Sequence, residues 1–319
     1  EIEALARAGE AARGATLYVT LEPCSHHGKT PPCADAVVAA GVARVVSAME
    51  DPNPEVAGAG HARLRAAGIA VEMGEGESAA RRDHAGHILR VTRGRPHVIL
   101  KFAVSADGMI GGPGRAPVAI TGEIARARSH LLRARGDAIL IGIGTALADD
   151  PALTCRLPGM EGRSPTRIVL DAALRLPVES RLVRTARETP VWVFAGTDAD
   201  RAREAALAGA GVVVARVAAR GGRLDLDAVL AELSRRGVTR LIVEGGARVA
   251  AGFVAAGLVD EAWLFQGPRA IGAGGVAALD TLPLDALTRD PALRIDATDR
   301  LGADALTIFR RRQPSGAHS

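Results

Sequence analysis

The chain has 319 residues, 48% of them apolar but only 3% aromatic, and 40 basic against 36 acidic side chains give a net charge of +4. That length is the natural prior for two domains, each with enough apolar residues for a full core. No run of about 18 apolar residues occurs, so no membrane span is expected. The charges are interspersed, and the basic, aromatic-laced stripe of a nucleic-acid surface is missing. Three cysteines, two of them in one loop, argue against a disulfide framework. No signal peptide is visible, and the expected location is the cytoplasm.

Residues 1–12 read as a helix closed by Gly14, 17–21 as a strand, 34–40 as a helix, 42–48 as a strand, 60–67 as a helix stopped by Gly68, and 69–73 as a strand. Cys24 and Cys33 bracket a polar loop that carries His26, His27 and Lys29. Thr30 suits a helix cap and Pro31 and Pro32 suit a first turn, which puts Cys33 where the helix dipole favours a thiolate. On spacing alone, a zinc pair and a reduced structural pair both stand. Asp51-Pro-Asn-Pro reads equally as a turn or as a pocket wall. A polar helix at 77–92 follows, with His84 and His87 as solvated surface histidines; it ends at Gly94 and Pro96, where the domain boundary falls.

The second half opens on an apolar run from 96, a buried strand, turning at Ser105–Gly108. A helix starts with Thr121 as cap and Glu123 in its first turn and runs to about Arg135. Residues 138–143 read as a strand and 144–156 as a polar loop, with Cys155 a packing residue or incidental thiol. Further strands fall at 167–171, 191–195, 212–217, 240–243 and 262–265, and helices near 199–207, 226–236 and 248–256; 312–319 is a frayed tail. The strand entering Gly245-Gly246 and a helix is either an anion site or a plain turn. Arg133 suits a phosphate through its guanidinium fork, or lies solvated. Alternation of strands with helices implies parallel strands with crossovers, the α/β class.

Particular stretches go further. Glu1-Ile-Glu-Ala-Leu, Tyr18-Val-Thr-Leu-Glu-Pro-Cys-Ser-His-His-Gly-Lys-Thr-Pro-Pro-Cys33 and Asp51-Pro-Asn-Pro resemble the bifunctional riboflavin-biosynthesis deaminase/reductase family. So do Lys101-Phe-Ala-Val-Ser-Ala-Asp-Gly108, the 142–156 segment and Val243-Glu-Gly-Gly-Ala247. The resemblance implies a cytidine-deaminase-like layered α/β domain at 1–94 and a dihydrofolate-reductase-like α/β domain at 95–319. It implies Zn2+ and NADPH as cofactors and small phosphorylated pyrimidines as substrates, with a homo-oligomer formed through the reductase half.

In that family the zinc ligands are a His and two Cys, and a Glu in an H-x-E segment shuttles protons. By resemblance Cys24 and Cys33 are ligands, Glu1 is the catalytic Glu, and the His lies before residue 1. The 1–319 chain then holds two of the three protein ligands, so its own deaminase site is expected to be defective. His26, Lys29, Asp51 and Asn53 correspond to deaminase substrate positions. Ala103, Thr145, Asp149 and the run Gly246, Ala247, Arg248, Val249, Ala250, Ala251 and Gly252 correspond to NADPH positions. Arg133, Leu153, Arg156 and Glu244 correspond to reductase substrate positions. Pro117 and Ala119 depart from the Ser and Trp that family members often carry. The rival reading is a reductase whose deaminase half is a remnant; a zinc-binding nucleic-acid module is a more distant one.

Overall fold

The computed structural model describes residues 1–27, 31–54 and 56–312, with Arg115 described by its backbone alone. The chain divides into two compact units, Glu1–Arg95 and Pro96–Ser319.

In the first unit, strands β1 (Thr16–Val19), β2 (Arg44–Ser47) and β3 (Ala70–Met73) form a parallel sheet in that order. Parallel neighbours need crossovers, and helices α1 (Ile2–Ala8), α2 (Cys33–Ala39) and α3 (Ala59–Ala66) occur between or before them. Ala34 and Val37 of α2 and Leu64 of α3 pack with Val45 and Ile69. The polar stretch read as one helix is two, α4 (Glu77–Asp83) and α5 (Ala85–Arg93), parted at His84. Thr30, expected as the cap of α2, lies outside the described residues; the N-cap position belongs to Pro32, and Cys33 is the first helical residue.

The second unit is a nine-stranded sheet. In chain order its first strands are β4 (His97–Val104), then the short β5 (Met109–Gly111), β6 (Ala138–Gly142), β7 (Thr166–Leu170), β8 (Val191–Gly196) and β9 (Val213–Val217). A small hairpin, β10 (Ala219–Arg220) and β11 (Arg223–Leu224), precedes β12 (Arg240–Val243) and β13 (Glu261–Gln266); β14 (Val276–Ala277), β15 (Leu293–Leu301) and β16 (Asp304–Arg311) follow. The large sheet runs β15-β16-β13-β4-β12-β6-β7-β8-β9, while β14 pairs with β5. It is parallel from β13 to β9, and β16 and β15 add an antiparallel edge.

Sheets of this kind are buried on both faces, which explains the near-continuous apolar runs. Val98, Leu100, Phe102 and Val104 share one core with helices α10 (Leu226–Arg235), α11 (Ala247–Ala255) and α12 (Asp285–Thr288). Ile99, Ile139 and Ile141 face the other way, against α6 (Glu123–Arg135), α7 (Ile143–Asp149), α8 (Arg181–Arg184) and α9 (Arg201–Gly209). Successive strand side chains point to opposite faces, so one strand feeds both cores. From β4 the chain steps outward through β6 to β9, returns to insert β12 between β4 and β6, then continues on the far side of β4. The strand order reverses there, and ligands bind outside the carboxyl ends of strands at such a switch point.

Three expectations fail here. Residues 144–149, expected as loop, belong to helix α7, which also takes Ile143 from the expected strand. Thr121 does not cap α6; the N-cap is Gly122, whose N–H donates to Asp304 Oδ2 at 2.7 Å. The long hairpin β15–β16 has no counterpart among the expected strands. Residues 313–319, read as a frayed tail, lie outside the described ones. Among the described residues no helix is long and apolar enough to cross a membrane.

Candidate active sites

In the first unit, a buried carboxylate sets the cysteine loop. Glu22 is 3% exposed. Its Oε2 accepts from the N–H groups of Asp51 (3.1 Å) and Gly58 (3.0 Å), and its Oε1 from those of Gly60 (2.7 Å) and His61 (3.0 Å). One side chain thus satisfies orphan donors at the start of α3 and ties them to the loop after β1. Gly60 makes the approach possible: a Cβ there would stand 2.0 Å from the Pro23 carbonyl oxygen. Cys24 is the next residue.

The N–H of Cys33, at the head of α2, donates to Cys24 Sγ at 3.3 Å. Both thiols are free and half-buried. Burial, the Cys24 sulfur and Glu1 together push the Cys33 thiol up to about 12, against the expectation that its helix end alone would favour thiolate. Groups that would each carry negative charge thus oppose one another here, which is the environment a divalent cation relieves. Two sulfur donors beside a carboxylate suit zinc, and the residues present fit that metal.

Around this pair, His26 is exposed on the loop, and Lys29 lies outside the described residues. Asp51 is buried; its Oδ1 accepts from the Asn53 N–H at 2.9 Å and lies 3.1 Å from His87 Nε2. The Asp51-Pro-Asn-Pro stretch is therefore a turn that is also fixed against Glu22 and α5. His84 Nε2 sits 3.0 Å from Thr20 Oγ1. Neither histidine is the freely solvated surface group expected from sequence.

Glu22, Glu50 and His61 offer a second set of metal-type donors within 4.8 Å of one another. Both oxygens of Glu22 already serve four N–H groups, so a cation there would compete with the docking of α3. His61 is fully buried with neither ring nitrogen hydrogen-bonded, 3.8 Å from Glu22 Oε2, and burial lowers its pKa.

In the second unit, the carboxyl ends of β4, β12 and β6 converge. Glu244, just past β12, accepts from Arg133 in a bidentate fork (Nε to Oε1 and Nη2 to Oε2, both 2.9 Å). Lys101 Nζ of β4 is 3.6 Å from Oε2. Burial alone would raise the Glu244 pKa; the two cations outweigh it and hold it at about 2. Arg133, on α6, is buried rather than solvated, with 14% of its side chain exposed. Its Nη1 also donates to the Thr154 carbonyl at 3.1 Å. A guanidinium has five N–H donors, so two remain for a ligand. Lys101 was quoted from sequence without a role. The signal was there: a charge inside the apolar run His97–Val104.

The turn Gly245-Gly246 leads into α11. Gly246 is the N-cap, and its N–H donates to Thr145 Oγ1 of α7 at 3.0 Å. A Cβ on Gly246 would stand 2.9 Å from that oxygen, and one on Gly245 or Gly142 would stand 2.7 Å from Val249. The glycines therefore bring two helix starts, α7 and α11, together at one edge of the sheet. Unpaired N–H groups at helix N-termini bind anions, and a cradle that side chains would fill fits the pyrophosphate of NADPH. Arg248 is exposed there, whereas Ala250 is fully buried and its N–H is bonded to the Gly246 carbonyl, so it presents no surface to a ligand. Gly252 lies further along α11, facing Leu226. Ala103 is partly exposed near the end of β4, and Asp149 closes α7.

After α7 the chain turns sharply. Asp150 (φ 37°) and Leu153 (φ 54°) are left-handed, a conformation that costs a non-glycine residue and persists only where its surroundings impose it. The Asp150 carboxylate accepts from the Arg181 N–H, and buried Arg167 donates to the Ala152 carbonyl. Leu153 is itself buried, and Arg156 is exposed. Pro117 and Ala119 lie exposed on the segment leading to Ile120, whose carbonyl oxygen is 2.2 Å from where a Cβ on Gly267 would be.

A cysteine pair on a layered α/β unit, with a glycine-lined switch point on a parallel-sheet unit, is the arrangement of a two-site enzyme of the deaminase and reductase class. Comparison with known proteins gives the family. The cytidine and deoxycytidylate deaminase zinc-binding region matches residues 1–49, and the RibD C-terminal domain matches 96–307. The riboflavin biosynthesis protein RibD of Escherichia coli is 41% identical over 316 residues, covering 95% of this chain and 84% of that protein. That of Aquifex aeolicus is 35% identical, covering 98% and 85%. Among solved structures, Acinetobacter baumannii RibD superposes with a TM-score of 0.84 at 34% identity, covering 97% of this chain and 84% of that one. A Thermotoga maritima diaminohydroxyphosphoribosylaminopyrimidine deaminase/5-amino-6-(5-phosphoribosylamino)uracil reductase gives 0.81 at 32%, covering 98% and 83%. This chain belongs to the RibD family of riboflavin biosynthesis proteins.

Proposed function

We propose that the protein, with the His expected just before Glu1 in place, catalyses two consecutive steps of riboflavin biosynthesis. The unit Glu1–Arg95 deaminates diaminohydroxyphosphoribosylaminopyrimidine by hydrolysis, and the unit from Pro96 reduces the ribosyl side chain of the product to ribityl with NADPH. The observation that carries the reading is the Cys33 N–H donating to Cys24 Sγ at 3.3 Å, which sets the two thiols side by side at the head of α2. It favours two working sites over a reductase with a remnant.

Cys24 and Cys33 would hold zinc, together with a His expected just before Glu1. Zinc held there would supply a Lewis acid that makes water nucleophilic near neutral pH. Glu1 would take a proton from water and return it to the departing amine. Asp51 and Asn53, held by Glu22 and their own turn, contact the pyrimidine together with His26.

In the reductase, NADPH supplies the reducing equivalents. The N–H groups of Ala247 and Arg248 in the first turn of α11 would receive its pyrophosphate, with Gly246 held to Thr145, and Ala103, Thr145 and Asp149 would contribute to holding the cofactor. Arg133 and Arg156 receive the substrate's ribose phosphate through planar donor pairs. Glu244 keeps one lone pair, on Oε1, beyond those used by Arg133 and Lys101, because each carboxylate oxygen has two. That lone pair takes a sugar hydroxyl, and the fixed negative charge orients the ring-opened sugar. The reading extends to a homo-oligomer, tested by light scattering.

The test measures zinc content and ammonia release on the chain extended upstream to include that His, beside its Cys24→Ser and Cys33→Ser variants, with NADPH oxidation on the deaminated substrate as internal control. Both serine variants are expected to lose zinc and ammonia release while keeping NADPH oxidation. Zinc content and ammonia release that survive both substitutions would overturn the deaminase assignment.

A further inference from the structure

Helix α6 and the loop that follows α7 are joined by three hydrogen bonds, two of them through His130. Arg133 Nη1 donates to the Thr154 carbonyl (3.1 Å), the Cys155 thiol donates to the His130 carbonyl (3.5 Å), and the Arg156 N–H donates to His130 Nδ1 (3.3 Å). The loop needs such restraint, because Leu153 sits in left-handed backbone at φ 54° while its side chain is buried. The two cross-links nearest Arg133 hold Thr154 and Cys155. The last, at Arg156, depends on an imidazole nitrogen.

We infer that His130 is a positioning residue of the reductase site: its Nδ1, accepting from the Arg156 N–H, fixes the loop so that Arg156 stands with Arg133 to receive the phosphate of the substrate. This rests on the reading of Arg156 as a phosphate contact. An acceptor at Nδ1 requires the tautomer with its hydrogen on Nε2. The surroundings favour that uncharged form. Burial lowers the His130 pKa first, and the positive charges of Arg133 on the same helix and Arg156 on the loop lower it further; Glu244, after β12, and a backbone hydrogen bond with Thr154 act in the other direction. His130 therefore acts through Arg156 and need not touch the substrate.

The geometry separates this role from direct contact. Asn presents an acceptor oxygen near the Nδ1 position, whereas Gln reaches toward the Nε2 position. The experiment measures reductase kinetics on the deaminated substrate with and without its phosphate, for His130→Ala, His130→Asn, His130→Gln and Arg156→Ala. Loss of one hydrogen bond to a site-forming backbone group corresponds to about a tenfold rise in KM. His130→Ala is expected to raise KM for the phosphorylated substrate by about that factor. Its KM for NADPH and for the dephosphorylated substrate should stay at the parent values. His130→Asn should recover most of the loss, and His130→Gln should not. Recovery by Gln and not Asn, or a parental KM in His130→Ala while Arg156→Ala is impaired, overturns the inference alone. If Arg156→Ala leaves KM unchanged, the reading of Arg156 fails and the inference with it. Fluorescence of Trp192 and Trp263, both in this unit, reports whether each variant folds. Should His130→Ala not fold, the contrast between Asn and Gln decides.

Discussion

Glu244→Gln is the sharpest test of how the reductase site is held together. The substitution keeps shape and removes one negative charge from between Arg133 and Lys101. In the folded protein burial works against the carboxylate, yet the two cations hold its pKa at about 2 against an ordinary 4.5. At 1.36 kcal/mol per tenfold change in proton affinity, that depression corresponds to about 3 kcal/mol. The independent expectation for breaking a buried ion pair, about 3–5 kcal/mol, agrees. The depressed pKa fixes the sign with pH: the stabilisation is complete above about 4.5 and disappears as pH falls toward 2. The assay is urea unfolding followed by tryptophan fluorescence, since Trp192 and Trp263, the two tryptophans of the chain, both lie in the reductase unit. With a urea slope of about 3 kcal/mol/M, the midpoint at pH 7 should fall by about 1 M, and the gap from the parent should narrow at pH 3. Lys101→Met combined with Glu244→Gln should cost less than the sum of the single changes, because the pair is coupled. A midpoint within about 0.2 M of the parent at pH 7, or a gap unchanged at pH 3, would refute the reasoning.

Gly60→Ala places a Cβ 2.0 Å from the Pro23 carbonyl, backbone against backbone, so α3 must move away from the Cys24 loop. Zinc per chain should fall to less than half the parent value by metal analysis, about the effect of losing a ligand's support, while the tryptophan-reported transition stays where it was. Gly246→Ala puts a Cβ 2.9 Å from Thr145 Oγ1 and should weaken NADPH binding about tenfold by calorimetry; unchanged affinity would remove the turn from the cofactor site. His61 is buried with a lowered pKa, so the unfolded state binds its proton more readily, and stability is lost as pH falls through the ordinary value of 6.5. His61→Leu should therefore flatten the decline in melting temperature of the first unit between pH 8 and pH 5, read by circular dichroism. Parallel curves for parent and variant would show that His61 does not titrate on unfolding.

Local pattern carried much of this protein. The alternation of apolar runs with helical segments set the α/β class, because strands buried on both faces must be apolar throughout, as in Ala138–Gly142. The strand-to-helix turn at Gly245-Gly246 was legible for the same reason, since glycine before a helix is a local signal, and the cysteine loop was legible through its likeness to a known family. Where pattern failed, the deciding partner was distant in sequence. The Asp304 carboxylate, 182 positions away, bonds the Gly122 N–H at the start of α6, where Thr121 had the better local chemistry. Strand β15 is mostly exposed and polar, so it lacks an apolar alternation, and its pairing with β16 makes it a strand. Residues 143–149 carry turn-like glycine and aspartate, yet they form a helix whose start is bonded to Gly246. The helix dipole acts on Cys33 from its own segment, but burial in the folded unit, then Cys24 and Glu1, reverse the outcome. Composition and period sense only neighbours within a turn or two. The charge of Glu244 is set by Arg133, 111 residues away, and only the packed sheet brings them to 2.9 Å.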